Sequence, residues 1–289
     1  MSEEQSNALV LAYDGTDFAG YARQTDPPQR TIQGEVERAL TTALHLPAGS
    51  LQTTVAGRTD AGVHAVGQVV SFALPASFLS LRGARSATRQ SSDSASAFQF
   101  DDRLLRSLNA LTPRDISVRA VRAVPSGFSA RFDAVTREYR YHIATAVEPP
   151  LFTQRFAWHV PGFAGNDERR EQLKQAATVL IGEHNFSSFA VTASLEGKNP
   201  VRTLRSIDLV ETEVLGEPIC EIRITGTAFL HSMVRVIVGT LVDIDAGRLA
   251  AGALPSILVA RDRSAAGQTA PAHGLTLWSV TYPQFSSMP

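Results

Sequence analysis

Three ionisable residues lie on a run of small ones in the stretch "VAGRTDAGVHAVGQVVSF", residues 55–72. Arg58 and Asp60 are two positions apart, so their side chains project to the same side of an extended segment. A guanidinium held there would stabilise the charge of the carboxylate. Gly57 and Gly62 permit positive φ and the close approach of a ligand. The spacing is compatible with a carboxylate nucleophile or base, and equally with a turn capped by Asp60 with Arg58 as its surface partner.

Other reactive patterns are absent from the sequence. The segment "AYDGTDF" approaches the DxDGT signature of aspartyl phosphatases, but Ala12 occupies the position of the nucleophile, so Asp14 is expected to form an Asx turn with Gly15. The histidines lack metal-ligand spacing. The single cysteine, Cys220, lies in an alternating strand with no histidine nearby. No GxxxxGK[ST] or strand-linked GxGxxG loop occurs. We therefore expect neither a metal nor a cofactor.

Composition places the chain among globular proteins. It has 289 residues, of which 44% are hydrophobic and 19% charged, and roughly 150 residues per domain suggests two domains. The longest apolar segment is interrupted by His231, Arg235 and Asp243, which makes it a poor membrane span. No charged-then-apolar leader is visible at the start. These features predict a cytoplasmic protein without a membrane segment.

Positive charge is distributed unevenly along the chain. The formal net charge is −1, yet residues 103–155 contain nine arginines against four acidic residues. Lys174 and Lys198 are the only lysines, so most cations are guanidinium groups, which suit bidentate phosphate contact. The segment could bind phosphates, although codon bias would also explain the preference for arginine.

Hydrophobic periodicity predicts an α+β fold with two similar layered halves on a mostly antiparallel mixed sheet. Two prolines in "AVEPPLF" place the boundary between domains 1–147 and 148–289. Residues 80–98, rich in Ser, Ala and Arg, are expected to form a mobile loop or an arm that touches RNA. We expect helices over 31–45 (with Thr31 as N-cap), 103–111, 167–181 and 229–244, and strands over 7–15, 67–74, 115–124, 137–145, 154–160, 203–212, 220–225 and 275–282.

The "AGRTDAGVHAVGQVVSF" loop resembles the signature loop of the bacterial tRNA pseudouridine synthase A family. Further blocks resemble that family in the same order: "LAYDGTDFAGYARQ", "TIQGEVERAL", "FSARFDAVTREYRY", "GEHNFSSF", "AFLHSMVRVIVGTL" and "AHGLTLW". They cover most of the chain and include polar turn residues, which a shared fold alone would not require. Two features depart from the family pattern: Tyr21 and Ala22 stand where Trp and Gln are usual, and residues 80–98 form a longer segment.

The resemblance implies a cofactor-free isomerase that converts uridine to pseudouridine at positions 38, 39 and 40 of the tRNA anticodon arm. It implies the pseudouridine synthase fold, with the active-site cleft between the two halves, and a homodimer that shares one tRNA. By resemblance, Asp60 is the catalytic aspartate, Arg58 its ion-pair partner, Tyr139 the residue that contacts the target base, and Leu275 an apolar wall. Our candidates for binding phosphates around the cleft are Arg137, Arg140, Arg202, Arg205 and Arg235.

Two other classes of function remain open at this point. A non-catalytic RNA-binding or RNA-chaperone protein could share the fold, since a fold does not determine an activity. It would have no need to keep both Arg58 and Asp60. A hydrolase that uses Asp14 or Asp60 would need a second carboxylate or metal ligands that the sequence does not provide. His64 has no predicted role beyond structural support.

Overall fold

The computed structural model describes residues 5–24, 27–74 and 102–288. The predicted mobile loop at 80–98 lies outside these residues. The described part contains five α-helices: α1 (Ile32–Ala43), α2 (Asp102–Leu111), α3 (Asp167–Ala177), α4 (Met233–Asp245) and α5 (Ala253–Ala260).

Ten strands in the described residues form one mixed, mostly antiparallel sheet. They are β1 (Gln5–Tyr13), β2 (Thr54–Val55), β3 (His64–Leu74), β4 (Ile116–Ala123), β5 (Thr136–Ala144), β6 (Trp158–His159), β7 (Gly182–Asn185), β8 (Val201–Val214), β9 (Glu217–Gly226) and β10 (Leu275–Thr281). The order is β4-β1-β3-β10-β5-β9-β8-β7, with β2 beside β3 and β6 beside β5. Only β10–β3 and β5–β6 are parallel pairs among the described strands. The predicted α+β class is confirmed.

Local sequence accounts for most of these elements. Thr31 caps helix α1 as predicted, because its side chain accepts a hydrogen bond from the backbone N–H of Gly34 at 3.3 Å. The strand predicted over 154–160 shortens to the two residues of β6, and helix α3 gives way to a 3₁₀ turn at Thr178–Leu180. Strands β2 and β7 and helix α5 are short elements that the periodicity did not reveal.

Helix α4 begins four residues later than the pattern predicts. Ser232, immediately before it, has φ 60°, in the left-handed region, so the apolar segment from residue 229 cannot continue into the helix. Eleven of the thirteen residues of α4 are buried, and Arg235 and Asp245 are the other two. None of the described helices is long and apolar enough to cross a membrane.

One hydrophobic core joins elements from both predicted halves. Strand β10, near the end of the chain, lies between β3 and β5, and the largest core cluster extends from Ala8 to Tyr282. The sheet is therefore continuous across the boundary predicted at residues 147–148. The division into two domains stays a prediction.

Candidate active site

The loop that carries Asp60 is held against two glycine-containing segments. A Cβ on Gly15 would lie 2.0 Å from a backbone oxygen of this loop, and one on Gly20 would lie 3.1 Å from Thr59 O. Gly20 also has φ 104°, a conformation that other residues rarely adopt. Close backbone packing thus fixes the position from which Asp60 projects.

The two glycines within the loop differ in their conformation. Gly62 has φ 76°, as expected for a residue that lets the chain turn after Asp60. Gly57 does not have a positive φ. A Cβ at Gly57 would instead stand 3.4 Å from the hydroxyl oxygen of Tyr139, and the absence of a side chain leaves room beside that phenol.

Both carboxylate oxygens of Asp60 have partners from the start of helix α4 and the two residues before it. Ser232 Oγ donates to Oδ2 at 3.1 Å, and Arg235 Nη1 donates to the same oxygen at 3.2 Å. His231 Nε2 lies 3.2 Å from Oδ1. The Asp60 side chain keeps 29% of its surface exposed, so it is anchored while still open to the cleft.

The ion-pair partner of Asp60 is Arg235, and not Arg58 as the resemblance implied. Among the described residues, no ion pair joins Arg58 to Asp60. Arg58 is exposed and lines the cleft. The two-residue spacing places Arg58 and Asp60 on one loop. The guanidinium that pairs with the Asp60 carboxylate belongs to Arg235 of helix α4, which is distant in sequence.

Sequence reasoning missed His231 and Ser232 because the whole segment had helical periodicity. The left-handed backbone at Ser232 turns the chain before α4 begins, which brings both side chains onto Asp60. Such a conformation costs about 1–3 kcal/mol in a residue other than glycine. Two adjacent polar residues at the start of an apolar helix were the only signal in the sequence.

Tyr139 lies in the cleft beside Phe229. The ring centroids are 4.9 Å apart in an edge-on arrangement, and Tyr139 is 8% exposed. Burial raises the pKa of the Tyr139 phenol to about 12, although the nearby Arg137 guanidinium lowers it somewhat. The phenol is therefore protonated at neutral pH.

Three further residues named in the sequence analysis also line the cleft. Leu275, the first residue of β10, is buried and lines the cleft as an apolar wall. Tyr21 and Ala22 line it as well. Tyr21 is only 2% exposed, so most of its ring packs in the core.

Arg137 lines the cleft but is engaged in internal hydrogen bonds. Its guanidinium donates to the carbonyl oxygens of Ala56 at 2.9 Å, Arg131 at 2.7 Å and Thr227 at 2.6 Å. Burial lowers its pKa. Arg137 is 7% exposed, and its guanidinium links three segments of the cleft. Its role in binding phosphate stays a prediction.

The remaining candidate arginines occupy different surfaces. Arg202 lines the cleft, whereas Arg205 is exposed and does not line it. Arg140 lies on the opposite face of β5 from Tyr139, where its guanidinium stacks on Trp278 at 3.7 Å and pairs with Glu138 at 2.8 Å. The structure therefore removes Arg140 and Arg205 from the cleft, and Arg235 serves Asp60.

The cleft has a volume of about 940 Å³ and concentrates positive charge. Asp60 is the only carboxylate among the described residues that line it. The cations that line it are Arg23, Arg58, Arg131, Arg137, Lys198 and Arg202. A near-neutral chain thus presents a basic concave surface around a single carboxylate, which suits a polyanionic substrate.

His64 supports the site from the rear of the Asp60 loop. It is buried and accepts a hydrogen bond from Gly15 N–H at 3.1 Å, while its Nε2 lies 3.1 Å from the carbonyl oxygen of His273. Burial lowers its pKa. Asp14 accepts from the N–H of Thr16 at 3.0 Å in the predicted Asx turn. The structural role expected for His64 agrees with these contacts.

Within residues 5–24, 27–74 and 102–288, no three His, Cys, Asp or Glu side chains are grouped so that they could hold a metal ion.

The known proteins that resemble this chain share one description. The family model described as tRNA pseudouridine synthase matches residues 176–283. The chain is 41% identical over 273 residues to tRNA pseudouridine synthase A of Bacillus licheniformis, covering 94% of this chain and 97% of the relative. It is 40% identical to the Bacillus subtilis protein of that name, with the same coverage. The Halalkalibacterium halodurans protein of that name is 41% identical, over 92% of this chain and 89% of its own length.

The relatives match this chain over 92–94% of its length. The chain therefore belongs to the tRNA pseudouridine synthase A family.

Proposed function

We propose that this protein isomerises uridine to pseudouridine at positions 38, 39 and 40 in the anticodon stem-loop of tRNA. Family membership supports the reaction class. The observation that carries the proposal is Asp60, held on both oxygens yet open to a basic cleft. A binding-only protein would have no need for a carboxylate at the centre of a phosphate-attracting surface.

The cleft provides groups that could detach a uracil from its ribose and reattach it through carbon. A uridine must leave its stack at a cost of a few kcal/mol, and stacking on an aromatic ring such as Tyr139 returns roughly 1–3 kcal/mol. Leu275 and Phe229 add apolar contact for the base. Asp60 then acts on the ribose or the base as a nucleophile, or assists a glycal-like intermediate, and the uracil rejoins the ribose through carbon.

Cations at the rim hold the RNA backbone. Arg58, Arg131, Lys198 and Arg202 line the cleft, and each can neutralise a phosphate, whereas Arg23 already pairs with Glu37 at 2.7 Å. We further propose that the protein acts in the cytoplasm as a homodimer in which two subunits share one tRNA. Two basic clefts together would compensate for the near-zero net charge of one chain.

The decisive experiment measures tritium release from tRNA that carries 5-tritiated uridine. We expect the wild-type chain to release tritium and form pseudouridine at positions 38–40, and Asp60→Asn to lose turnover by at least about a thousandfold while it still binds tRNA. Near-wild-type turnover of Asp60→Asn would rule out the assigned nucleophile. Tight binding of unmodified tRNA by the wild type without any product would favour a binding protein.

A further inference from the structure

We propose that His231 is the general base that removes the proton from C5 of the uracil after it has rejoined the ribose through carbon. The inference rests on the proposed function and adds a residue to its mechanism. It starts from the contact between His231 Nε2 and Asp60 Oδ1 at 3.2 Å. His231 lines the cleft, and half of its side-chain surface is exposed.

The backbone around His231 is anchored on both sides. Its carbonyl oxygen accepts from Val191 N–H at 3.3 Å, and Met233 N–H donates to Leu230 O at 3.1 Å. Between these bonds Ser232 adopts the left-handed conformation. The left-handed conformation of Ser232 is energetically costly, and it places the His231 imidazole beside the Asp60 carboxylate. The fold thus maintains a strained residue that positions His231 in the cleft.

Asp60 also selects between the two tautomers of a neutral imidazole. A carboxylate next to Nε2 favours the tautomer that carries its proton on that nitrogen. The basic lone pair is then on Nδ1. A carboxylate that orients a histidine in this way is a recurring arrangement for general bases.

Asp60 and Tyr139 are the other groups of the site that could accept the C5 proton, and both are less suitable than His231. Asp60 is committed to the earlier step, and its Oδ2 accepts from Ser232 and Arg235. Burial raises the pKa of Tyr139 to about 12, so its phenol is protonated at pH 7 and is a poor proton acceptor. Among the described residues that line the cleft, His231 carries the only imidazole.

The proposed step balances without a further reactant except water. When C5 has bonded to C1′ of the ribose, it still carries its hydrogen. Nδ1 of His231 takes that proton, the C5–H electron pair becomes the C5=C6 double bond, and the electrons of the C6=N1 bond move to N1, which takes a proton from water. If Asp60 is bonded to C6 instead, the same electron pair expels its carboxylate. His231 returns its proton to water.

The test is single-turnover conversion of tRNA with hydrogen or deuterium at C5 of the target uridine, using the full chain. His231→Gln keeps a side-chain N–H donor for Asp60 but has no basic nitrogen. We expect its rate to fall by about 10²-fold or more, and its isotope effect to be at least twice that of the wild type because C5 deprotonation becomes rate-limiting. A lower rate with an unchanged isotope effect, or a wild-type rate, would overturn the proposal.

Chemical rescue provides a second readout. Imidazole added to His231→Ala should restore turnover in proportion to its concentration, whereas no rescue would count against a base at this position. His184→Gln is the matched control, since His184 lies outside the cleft with its Nε2 3.0 Å from Ile181 O, and it should behave as wild type. If Asp60→Asn is inactive while His231→Gln keeps full rate, only this inference fails; if the wild type forms no pseudouridine, the proposed function fails.

Discussion

Arg235 and Asp60 are 175 positions apart in the chain, yet Arg235 Nη1 lies 3.2 Å from Asp60 Oδ2. The same guanidinium donates from Nε to Ala270 O at 2.8 Å, so it is fixed between helix α4 and the segment that leads to Leu275. The Asp60 carboxylate is thus positioned by a helix of the second half of the chain and presented by a loop of the first.

Replacing Arg235 should impair chemistry more than tRNA binding. A hydrogen bond to a charged group contributes about 1.5–3 kcal/mol, so Arg235→Gln should lower kcat by roughly 10–150-fold with little change in KM. Arg58→Gln, at an exposed cleft position, should mainly raise KM. Steady-state tritium release distinguishes the two variants. An equal loss of kcat in Arg58→Gln and Arg235→Gln would contradict this prediction and indicate that Arg58 pairs with Asp60 once tRNA is bound.

Arg137 should contribute to stability and not to phosphate binding. Arg137→Met would leave the carbonyl oxygens of Ala56, Arg131 and Thr227 without their donor. A fully buried unsatisfied group costs about 1–3 kcal/mol, and the contacts to Arg131 and Thr227 are only partly buried. We therefore expect the free energy of unfolding to fall by about 3–5 kcal/mol in urea titrations. The exposed Arg205→Met variant should change it by no more than about 0.5 kcal/mol. An intact stability with a raised KM would instead identify Arg137 as a phosphate ligand.

The hydroxyl of Tyr139 should matter less than its ring. Since the pKa is raised to about 12 by burial, the phenol is neutral throughout the working range and is a poor base. Tyr139→Phe keeps the ring and its contact with Phe229, so we expect at most about a tenfold loss of turnover, whereas Tyr139→Ala should lose roughly 1–3 kcal/mol of base stacking as well. Complete loss of activity in Tyr139→Phe would place the hydroxyl in proton transfer.

Glu221 should make stability depend on acid pH. Burial alone would raise its pKa, but hydrogen bonds from His142 and Arg223, with the charge of Arg140, lower the pKa from 4.5 to about 2. The unfolded state therefore binds a proton at a higher pH than the folded state does. The stabilisation is complete above about pH 5 and is lost as the pH falls through 2, a change of about 3 kcal/mol at 1.36 kcal/mol per unit.

The measurement is urea unfolding between pH 2 and pH 7. Glu221→Gln should be less stable than wild type at pH 7 and should show a flatter decline toward low pH. Glu213→Gln is the matched control, because Glu213 is exposed in the same pair of strands, and its profile should follow the wild type. Equal slopes for all three proteins would show that another group controls the acid transition.

Some features of the site follow from local sequence. Alternation along β5 puts Arg137 and Tyr139 on one face and Arg140 on the other, so Arg140 could have been excluded from a cleft that contains Tyr139. Whether Arg137 is free or internally bonded could not be read this way, because its partners are carbonyl oxygens of three separate segments.

Most helix and strand periods, the Asp60 loop and the family can be read from the amino-acid sequence, since each of these is encoded in contiguous residues. The folded arrangement was needed to find Arg235, and not Arg58, as the partner of Asp60, together with His231 and Ser232. These contacts depend on where helix α4 meets the sheet and on one left-handed residue before it. Neither feature leaves a periodic trace in the sequence.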